Sequence, residues 1–311
     1  MIQCIGVEIS KKKNLPVLFV LTGSKKEVFI GSQFLKPYCN NEDKIILTDI
    51  EHIDIFCSLP NTKIYAMNPE SFLILAEKSF KNAILRPDTE LSIAFCNNFI
   101  KKQDDHITAI LVSKPTEPWK YYFNQTPHPI DIVHQKLKRK GKYLIGINVG
   151  ETEHVTKKLS YSFLCELMDY VSSKTSCRFV LFGTTESQIR SEMLRRECNS
   201  DTISMIGDFN IDMFSQAISM CDCFISLNSF LLHLSIAVKQ DTIGMFYRDE
   251  LKEKEIMLPN LYPFVVKKKC DECRENEECR FIYKCDERCL ESFNAKDIGF
   301  MAMNILNSKG G

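Results

Sequence analysis

The sequence has no excess of either charge, because 40 lysine and arginine residues balance 40 aspartate and glutamate residues. Net charge therefore gives no reason to expect nucleic acid or an anionic membrane as the partner. No apolar run approaches the roughly 20 residues that a membrane-spanning helix needs, and the first residues do not resemble a signal peptide. We therefore expect a cytoplasmic protein, with at most peripheral contact at the inner face of the cytoplasmic membrane.

The composition is that of a globular protein, with 44% apolar and 26% charged residues, and 311 residues are enough for two α/β domains. From residue 139 to residue 311, short apolar runs alternate regularly with helical patterns. Strands are predicted at 143–149, 178–182, 202–206, 223–227 and 242–246, and helices at 161–171, 186–198, 211–220 and 229–238. Alternation with short connections predicts a parallel, doubly wound sheet that binds its ligand at the carboxyl ends of the strands.

Residues 1–138 alternate less regularly but also predict an α/β domain. Strands are expected at 1–9, 16–22, 44–48, 63–66 and 107–112, and helices at 28–37 and 70–80. Four prolines within 113–129 indicate a long connection. A hinge between the two domains is predicted near 136–142.

The first candidate ligand loop follows the predicted strand 143–149. Gly150 permits a tight turn, and Thr152 and Lys157 are suited to binding phosphate oxygens. The alternative is a solvent-exposed loop with ordinary lysines, and this loop alone does not decide between the two.

The second loop follows the strand 223–227. Asn228 or Ser229 can cap the next helix, whose amino end would favour a bound diphosphate. His233 lies one turn into that helix. A histidine among leucines is commonly a core residue, but its place near a strand end favours a functional role here.

The third loop, Gly-Ser-Lys-Lys-Glu at 23–27, precedes a predicted helix in the first domain. A carboxylate at a helix start usually makes only a favourable contact with the helix dipole. Glu27 could equally be a general base facing an interdomain cleft. Taken alone, the loop favours the structural interpretation.

Taken in their order along the chain, the three loops resemble those of glycosyltransferase family 9, which includes the ADP-heptose:lipopolysaccharide heptosyltransferases. Glu27 lies where the family has the aspartate of its Gly-Asp-Val segment, and Lys157 matches the lysine of Lys-x-Trp-Pro. The segment Asn-Ser-Phe-Leu-Leu-His-Leu-Ser at 228–235 matches the signature Asp-Ser/Thr-Gly-x-x-His-Leu-Ala. The sequence departs from that signature at Asn228 and Phe230, where the family has aspartate and glycine.

The resemblance implies a glycosyltransferase-B architecture, in which two Rossmann-like domains face a cleft. It also implies an inverting transfer from a nucleotide sugar, an ADP-sugar first of all, to a lipopolysaccharide core or another bacterial surface glycan. Glu27 would be the base, while Gly150, Thr152, Lys157, Asn228, Ser229 and His233 would bind the donor, without a catalytic metal. Because Asn228 is uncharged and Phe230 would crowd a ligand, the alternative is an inactive binding protein with the same fold.

Five cysteines lie close together near the end of the chain, within the segment 270–289. They are Cys270, Cys273, Cys279, Cys285 and Cys289. Four thiolates can surround zinc or iron tetrahedrally, although the spacing matches no standard zinc ribbon. We expect a structural metal that holds the last helix, because disulfides would require an oxidising compartment.

Overall fold

The chain forms two compact units, Met1–Thr116 and Glu117–Gly311. The computed structural model describes residues 15–32, 35, 42–57, 59–80, 82–86, 92, 96, 108–111, 131–150, 159–207, 211–247, 258–266 and 293–309. The predicted strand 1–9 and the proline-rich connection 113–129 lie outside these residues. The predicted domain boundary after residue 138 stays a prediction.

Unit one is built on a five-stranded parallel sheet in the order β3-β2-β1-β4-β5. Its strands are β1 Val17–Leu21, β2 Lys44–Thr48, β3 Thr62–Ala66, β4 Asn82–Arg86 and β5 Thr108–Leu111. Its described helices are α1 Lys25–Gly31, a 3₁₀ helix at Ile50–Ile55 and α2 Pro69–Ala76. Strands β1, β2 and β3 follow one another toward one edge of the sheet, and β4 and β5 lie on the other side of β1, so the connections reverse direction between β1 and β4. Such a switch point is where open α/β sheets bind ligands.

Unit two contains a six-stranded parallel sheet in the order β11-β10-β9-β6-β7-β8. The strands are β6 Tyr143–Asn148, β7 Cys177–Gly183, β8 Thr202–Ile206, β9 Cys223–Leu227, β10 Thr242–Tyr247 and β11 Leu261–Val266. The α-helices are α3 Asp131–Lys136, α4 Tyr161–Ser172, α5 Gln188–Glu197, α6 Ile211–Ser219, α7 Phe230–Ala237 and α8 Ala295–Lys309, and a 3₁₀ turn spans Thr185–Ser187. The connections reverse direction between β6 and β9, which makes this the switch point of the second sheet.

Several strands are buried along their whole length, which agrees with parallel sheets covered on both faces. Every residue of β1, β2 and β9 is buried, as expected for strands covered by other elements on both sides. On one face of unit two, α4 and α8 pack together with buried residues such as Leu167 and Ile298. A side chain at Gly299 of α8 would lie 2.6 Å from the Tyr170 ring, so glycine permits this close approach.

Ion pairs fasten the amino ends of the second sheet. Asp201, just before β8, lies 3.0 Å from Lys142 Nζ and 2.9 Å from Arg178 Nε. Burial alone would raise the pKa of the Asp201 carboxyl, but the two cations outweigh that effect and lower its pKa.

The predicted α/β architecture with two parallel sheets is confirmed. The expected set of five strands in the second half was wrong, because β11 pairs with β10 as a sixth strand. The helix predicted from residue 28 begins three residues earlier, at Lys25. The central strand β4 was missed.

Candidate active site

In unit two, a polar network lies at the carboxyl ends of β6 and β9. Asn148 is the last residue of β6, and its Nδ2 donates to Ser226 Oγ at 3.1 Å and to Ser229 Oγ at 3.0 Å. All three side chains are buried. The register pairs Ile147 with Ile225, so Asn148 and Ser226 are the next neighbours across the switch point.

Ser229 connects this network to the start of α7. Its backbone is extended and its Oγ accepts a hydrogen bond from the Leu232 amide at 3.3 Å, which makes it the helix N-cap. Ser226 donates its own hydroxyl proton to the Leu227 carbonyl at 2.7 Å. The 3.1 Å contact between the two hydroxyls therefore has Ser229 as the donor. Both hydroxyls thus fix the position of the amino end of α7, where the helix dipole favours an anion.

His233 and Asn228 form a second contact beside this network. His233 Nε2 lies 3.2 Å from Asn228 Oδ1, and the imidazole is fully buried. Because an amide oxygen can only accept, the ring donates from Nε2. His233 therefore orients the Asn228 side chain. Phe230, at the first position of α7, is only 3% exposed, so protein encloses its ring.

The chain must turn closely past a serine after β6. Gly150 N–H donates to Asn148 Oδ1 at 3.3 Å. A Cβ at Gly150 would lie 1.7 Å from Ser187 Oγ, so only glycine fits at this position. Within the described parts of the chain, the buried Ser187 hydroxyl has no hydrogen-bond partner. Ser187 is therefore a polar group of this strand edge that the sequence did not indicate.

Two of the predicted donor ligands, Thr152 and Lys157, lie outside the described residues, as do the five clustered cysteines. Among the residues that the structure does describe, no group of three or more His, Cys, Asp or Glu side chains could hold a metal ion. The described helices also include none that is both long and apolar enough to cross a bilayer.

In unit one, Glu27 takes part in a capping box at the start of α1. Ser24 N–H donates to Glu27 Oε2 at 3.1 Å, and Glu27 N–H donates to Ser24 Oγ at 3.3 Å. This reciprocal pair satisfies two amide groups at the helix start. The Ser24 hydroxyl also donates to Glu27 Oε2, at 3.0 Å. The carboxylate therefore has one fixed orientation, with one oxygen held by Ser24.

The loop that carries this box is held by two side chains that follow β2, one just after the strand and one in the 3₁₀ helix Ile50–Ile55. Asp49 Oδ2 accepts from Gly23 N–H at 3.1 Å, and His52 Nε2 lies 2.8 Å from the Gly23 carbonyl oxygen. His52 is buried, and no described group pairs with its Nδ1. Sequence reasoning missed both residues. Asp49 could have been found as the first polar residue after a buried strand, whereas nothing in the sequence indicates His52.

Comparison with known proteins agrees with this arrangement. The sequence model of glycosyltransferase family 9 (heptosyltransferase) matches residues 87–281. Lipooligosaccharide heptosyltransferase 2 of Campylobacter jejuni subsp. jejuni serotype O:6 (strain 81116 / NCTC 11828) is 22% identical over 250 residues, which are 68% of this chain and 74% of that protein.

Solved structures show the same fold over nearly the whole chain. The family 9 glycosyl transferase from Veillonella parvula DSM 2008 has a TM-score of 0.70 at 11% identity, covering 94% of this chain and 98% of that one. ADP-heptose LPS heptosyltransferase II of E. coli has a TM-score of 0.67 at 11% identity, covering 96% and 100%. The family model spans well over half of the sequence, and this chain therefore belongs to glycosyltransferase family 9 and is a glycosyltransferase.

Proposed function

We propose that this enzyme transfers a heptose-like sugar from a nucleotide donor, an ADP-sugar, to a lipopolysaccharide core or another bacterial surface glycan, with inversion at the anomeric carbon. The observation that carries this proposal is the network of Asn148, Ser226 and Ser229 at the switch point between β6 and β9. It fixes the amino end of α7 at the strand edge where such sheets bind nucleotides.

The electrostatics of this edge suit a diphosphate. Asn228 and Asn148 are uncharged, and the amino end of α7 carries partial positive charge. The Ser229 hydroxyl already contacts Asn148, Ser226 and the Leu232 amide. It therefore acts on the donor by positioning the first turn of α7. Gly150, Thr152 and Lys157 complete the proposed donor site, with His233 holding Asn228.

The proposed reaction is a single displacement. The acceptor hydroxyl oxygen attacks the anomeric carbon while Glu27 accepts its proton, and the bond from that carbon to the diphosphate oxygen breaks. The nucleoside diphosphate leaves with the electron pair of the broken bond. Lys157 and the amino end of α7 stabilise the negative charge that develops on the leaving diphosphate, so no catalytic metal ion is required for this role.

The names of similar proteins support the proposed identity of the donor and of the acceptor. One solved structure with the same fold is described as an ADP-heptose LPS heptosyltransferase, and the curated relative as a lipooligosaccharide heptosyltransferase. We place the enzyme in the cytoplasm, with at most peripheral membrane contact where it meets a glycolipid acceptor. For the cysteines of segment 270–289 we propose a structural zinc or iron ion, which metal analysis of the purified protein and of Cys270→Ser and Cys273→Ser variants would test.

Donor turnover tests the transferase proposal. The purified protein is screened by thermal shift against ADP-, GDP-, UDP- and CDP-sugars and then assayed for nucleotide release with a heptose-deficient lipopolysaccharide acceptor. We expect ADP-heptose to bind and to turn over, with the opposite anomeric configuration in the product. Binding without turnover would contradict the proposal and favour the inactive binding protein.

A matched pair of lysine variants tests the charge balance. Removal of one preorganised charge from a leaving-group site costs about 3 kcal/mol, roughly a hundredfold in rate, so we expect a loss of that order for Lys157→Ala. The control is Lys174→Ala, in the exposed turn after α4, which should retain full turnover. Equal rates for both variants would remove Lys157 from the proposed mechanism.

A further inference from the structure

Two free thiols of unit two lie unusually close together. Cys165 is in α4 and Cys198 follows α5, and their sulfur atoms are 2.7 Å apart although the residues are 33 positions apart in the chain. Unbonded sulfur atoms normally pack farther apart than this, and a disulfide bond is about 2.05 Å long. The two sulfurs therefore need to move only a short distance to form a bond.

Neighbouring hydrogen bonds hold the two backbone segments in this register. One turn after Cys165, Asp169 Oδ1 accepts from Asn199 N–H at 3.1 Å and from Ser200 Oγ at 3.2 Å. A further turn along α4, Ser172 Oγ donates to Ser200 Oγ at 2.9 Å. Three successive turns of α4 thus contact the segment 198–200, and these contacts keep the cysteines facing each other.

We propose that Cys165 and Cys198 are a reversible modification site, at which a small disulfide such as oxidised glutathione converts the two thiols into an intramolecular disulfide. The Cys165 thiolate attacks one sulfur of the reagent, so that a mixed disulfide forms and one glutathione thiolate leaves. The Cys198 thiolate then attacks Cys165 Sγ and displaces the second glutathione. The two protons lost by the protein thiols go to the two glutathione thiolates, which balances the exchange.

Exposure decides which thiol reacts first. Cys165 is partly exposed, whereas Cys198 is only 6% exposed. Burial raises the pKa of the Cys198 thiol, and its hydrogen bond with Cys165 and the nearby carboxylates of Asp169 and Glu197 raise it further. The thiolate is the nucleophile, so the reagent enters at Cys165 and Cys198 resolves the mixed disulfide.

Peptide mapping of the complete native chain tests this proposal. The protein is incubated with oxidised glutathione, its remaining thiols are alkylated, and it is digested without reduction for mass spectrometry. We expect a peptide that links Cys165 to Cys198 and that separates on reduction. Separate alkylation of both cysteines, or a link from Cys165 to a different cysteine, would overturn the proposal.

Thermal unfolding provides an independent readout with a matched control. A cross-link across a loop of this size should raise the unfolding midpoint by on the order of 5 °C or more. Cys165→Ser should abolish that rise. Cys57→Ser, which changes an exposed cysteine of unit one, should preserve it. A rise that survives in Cys165→Ser would assign the stabilisation to other cysteines and refute the site.

Discussion

Replacing Glu27 by glutamine should separate its two roles, as a helix cap and as the proposed catalytic base. In the structure, Glu27 Oε2 accepts hydrogen bonds from the amide and the hydroxyl of Ser24. A glutamine side chain has an oxygen of the same reach, and glutamine also serves at this position of capping boxes. It cannot accept a proton from an acceptor hydroxyl. Glu27→Gln therefore keeps the hydrogen bonds of the cap and removes the negative charge and the basicity.

The two roles differ greatly in magnitude. Losing the negative charge in the first turn of α1 should cost about 0.3–1 kcal/mol of unfolding free energy. Losing a general base should lower turnover roughly 10²–10⁴-fold. Ser24→Ala should show the opposite pattern. It removes the N-cap, which costs about 1 kcal/mol of stability. Its effect on turnover should be only about fivefold, because one hydrogen bond of about 1 kcal/mol no longer orients the carboxylate.

The assay combines urea unfolding with nucleotide release for both variants. Glu70→Gln is the matched control, because Glu70 is an exposed glutamate in the first turn of the other α-helix described in unit one. Because it also removes a negative charge from the first turn of a helix, it should show the same small loss of about 0.3–1 kcal/mol in unfolding free energy, with full turnover. If Glu27→Gln retained turnover within about fivefold of the unmodified enzyme, Glu27 would be a cap alone and the base would have to be sought elsewhere.

Three further experiments test the remaining structural arguments. Asn148→Ala removes the hydrogen bonds to Ser226, Ser229 and the Gly150 amide, at about 1 kcal/mol each, so urea unfolding should show a loss of about 2–3 kcal/mol. Binding of an ADP-sugar, measured by calorimetry, should also weaken, and unchanged binding would contradict the proposed donor site. Gly150→Ala should cost about 1–3 kcal/mol of unfolding free energy, because the new Cβ would clash with the Ser187 side chain. Adding Ser187→Gly to the same chain should recover most of that loss, since the nearest remaining atom to the new Cβ would be the Cα of residue 187 at 3.7 Å. A double variant no more stable than Gly150→Ala would refute the contact. The pKa of the Asp201 carboxyl is lowered in the folded state, so its ion pairs stabilise the fold above the unfolded pKa of about 3.9, and this stabilisation is lost as pH falls through the folded pKa. The urea midpoint should therefore fall less steeply from pH 6 to pH 3 in Asp201→Asn than in the unmodified protein. Identical slopes would contradict this pairing.

The fold was largely predictable because buried parallel strands appear in a sequence as continuous apolar runs. Strands β2, β8 and β9 occur where these runs predict them, at Lys44–Thr48, Thr202–Ile206 and Cys223–Leu227. Strand β11 was not predicted, and it contains Pro263, a residue that argues against a central strand. The structure places it at the sheet edge, paired only with β10, where a missing N–H group is tolerated.

The start of α1 shows that side-chain capping can begin a helix before the first residue of its apolar pattern. The apolar residues begin at Val28, which led to a predicted helix start there. The Ser24 and Glu27 pair begins the helix at Lys25 instead, because the capping bonds satisfy amide groups that an apolar residue cannot. The Ser-x-x-Glu spacing was visible in the sequence, so this boundary could have been predicted.

From the sequence, single site residues could be placed at the ends of their own strands, but the contacts between different strand ends could not be predicted. Asn228, Ser229 and Gly150 follow apolar runs, and each could be placed at a carboxyl end without knowing its neighbours. Their connection could not be predicted, because Asn148 meets Ser229 across 81 positions of the chain. That contact requires β6 and β9 to be adjacent, and sequence order places β7 and β8 between them. A polar last residue on a buried strand, such as Asn148, is therefore best taken as a sign that another strand end lies within hydrogen-bonding reach, since burial without a partner would cost about 1–3 kcal/mol.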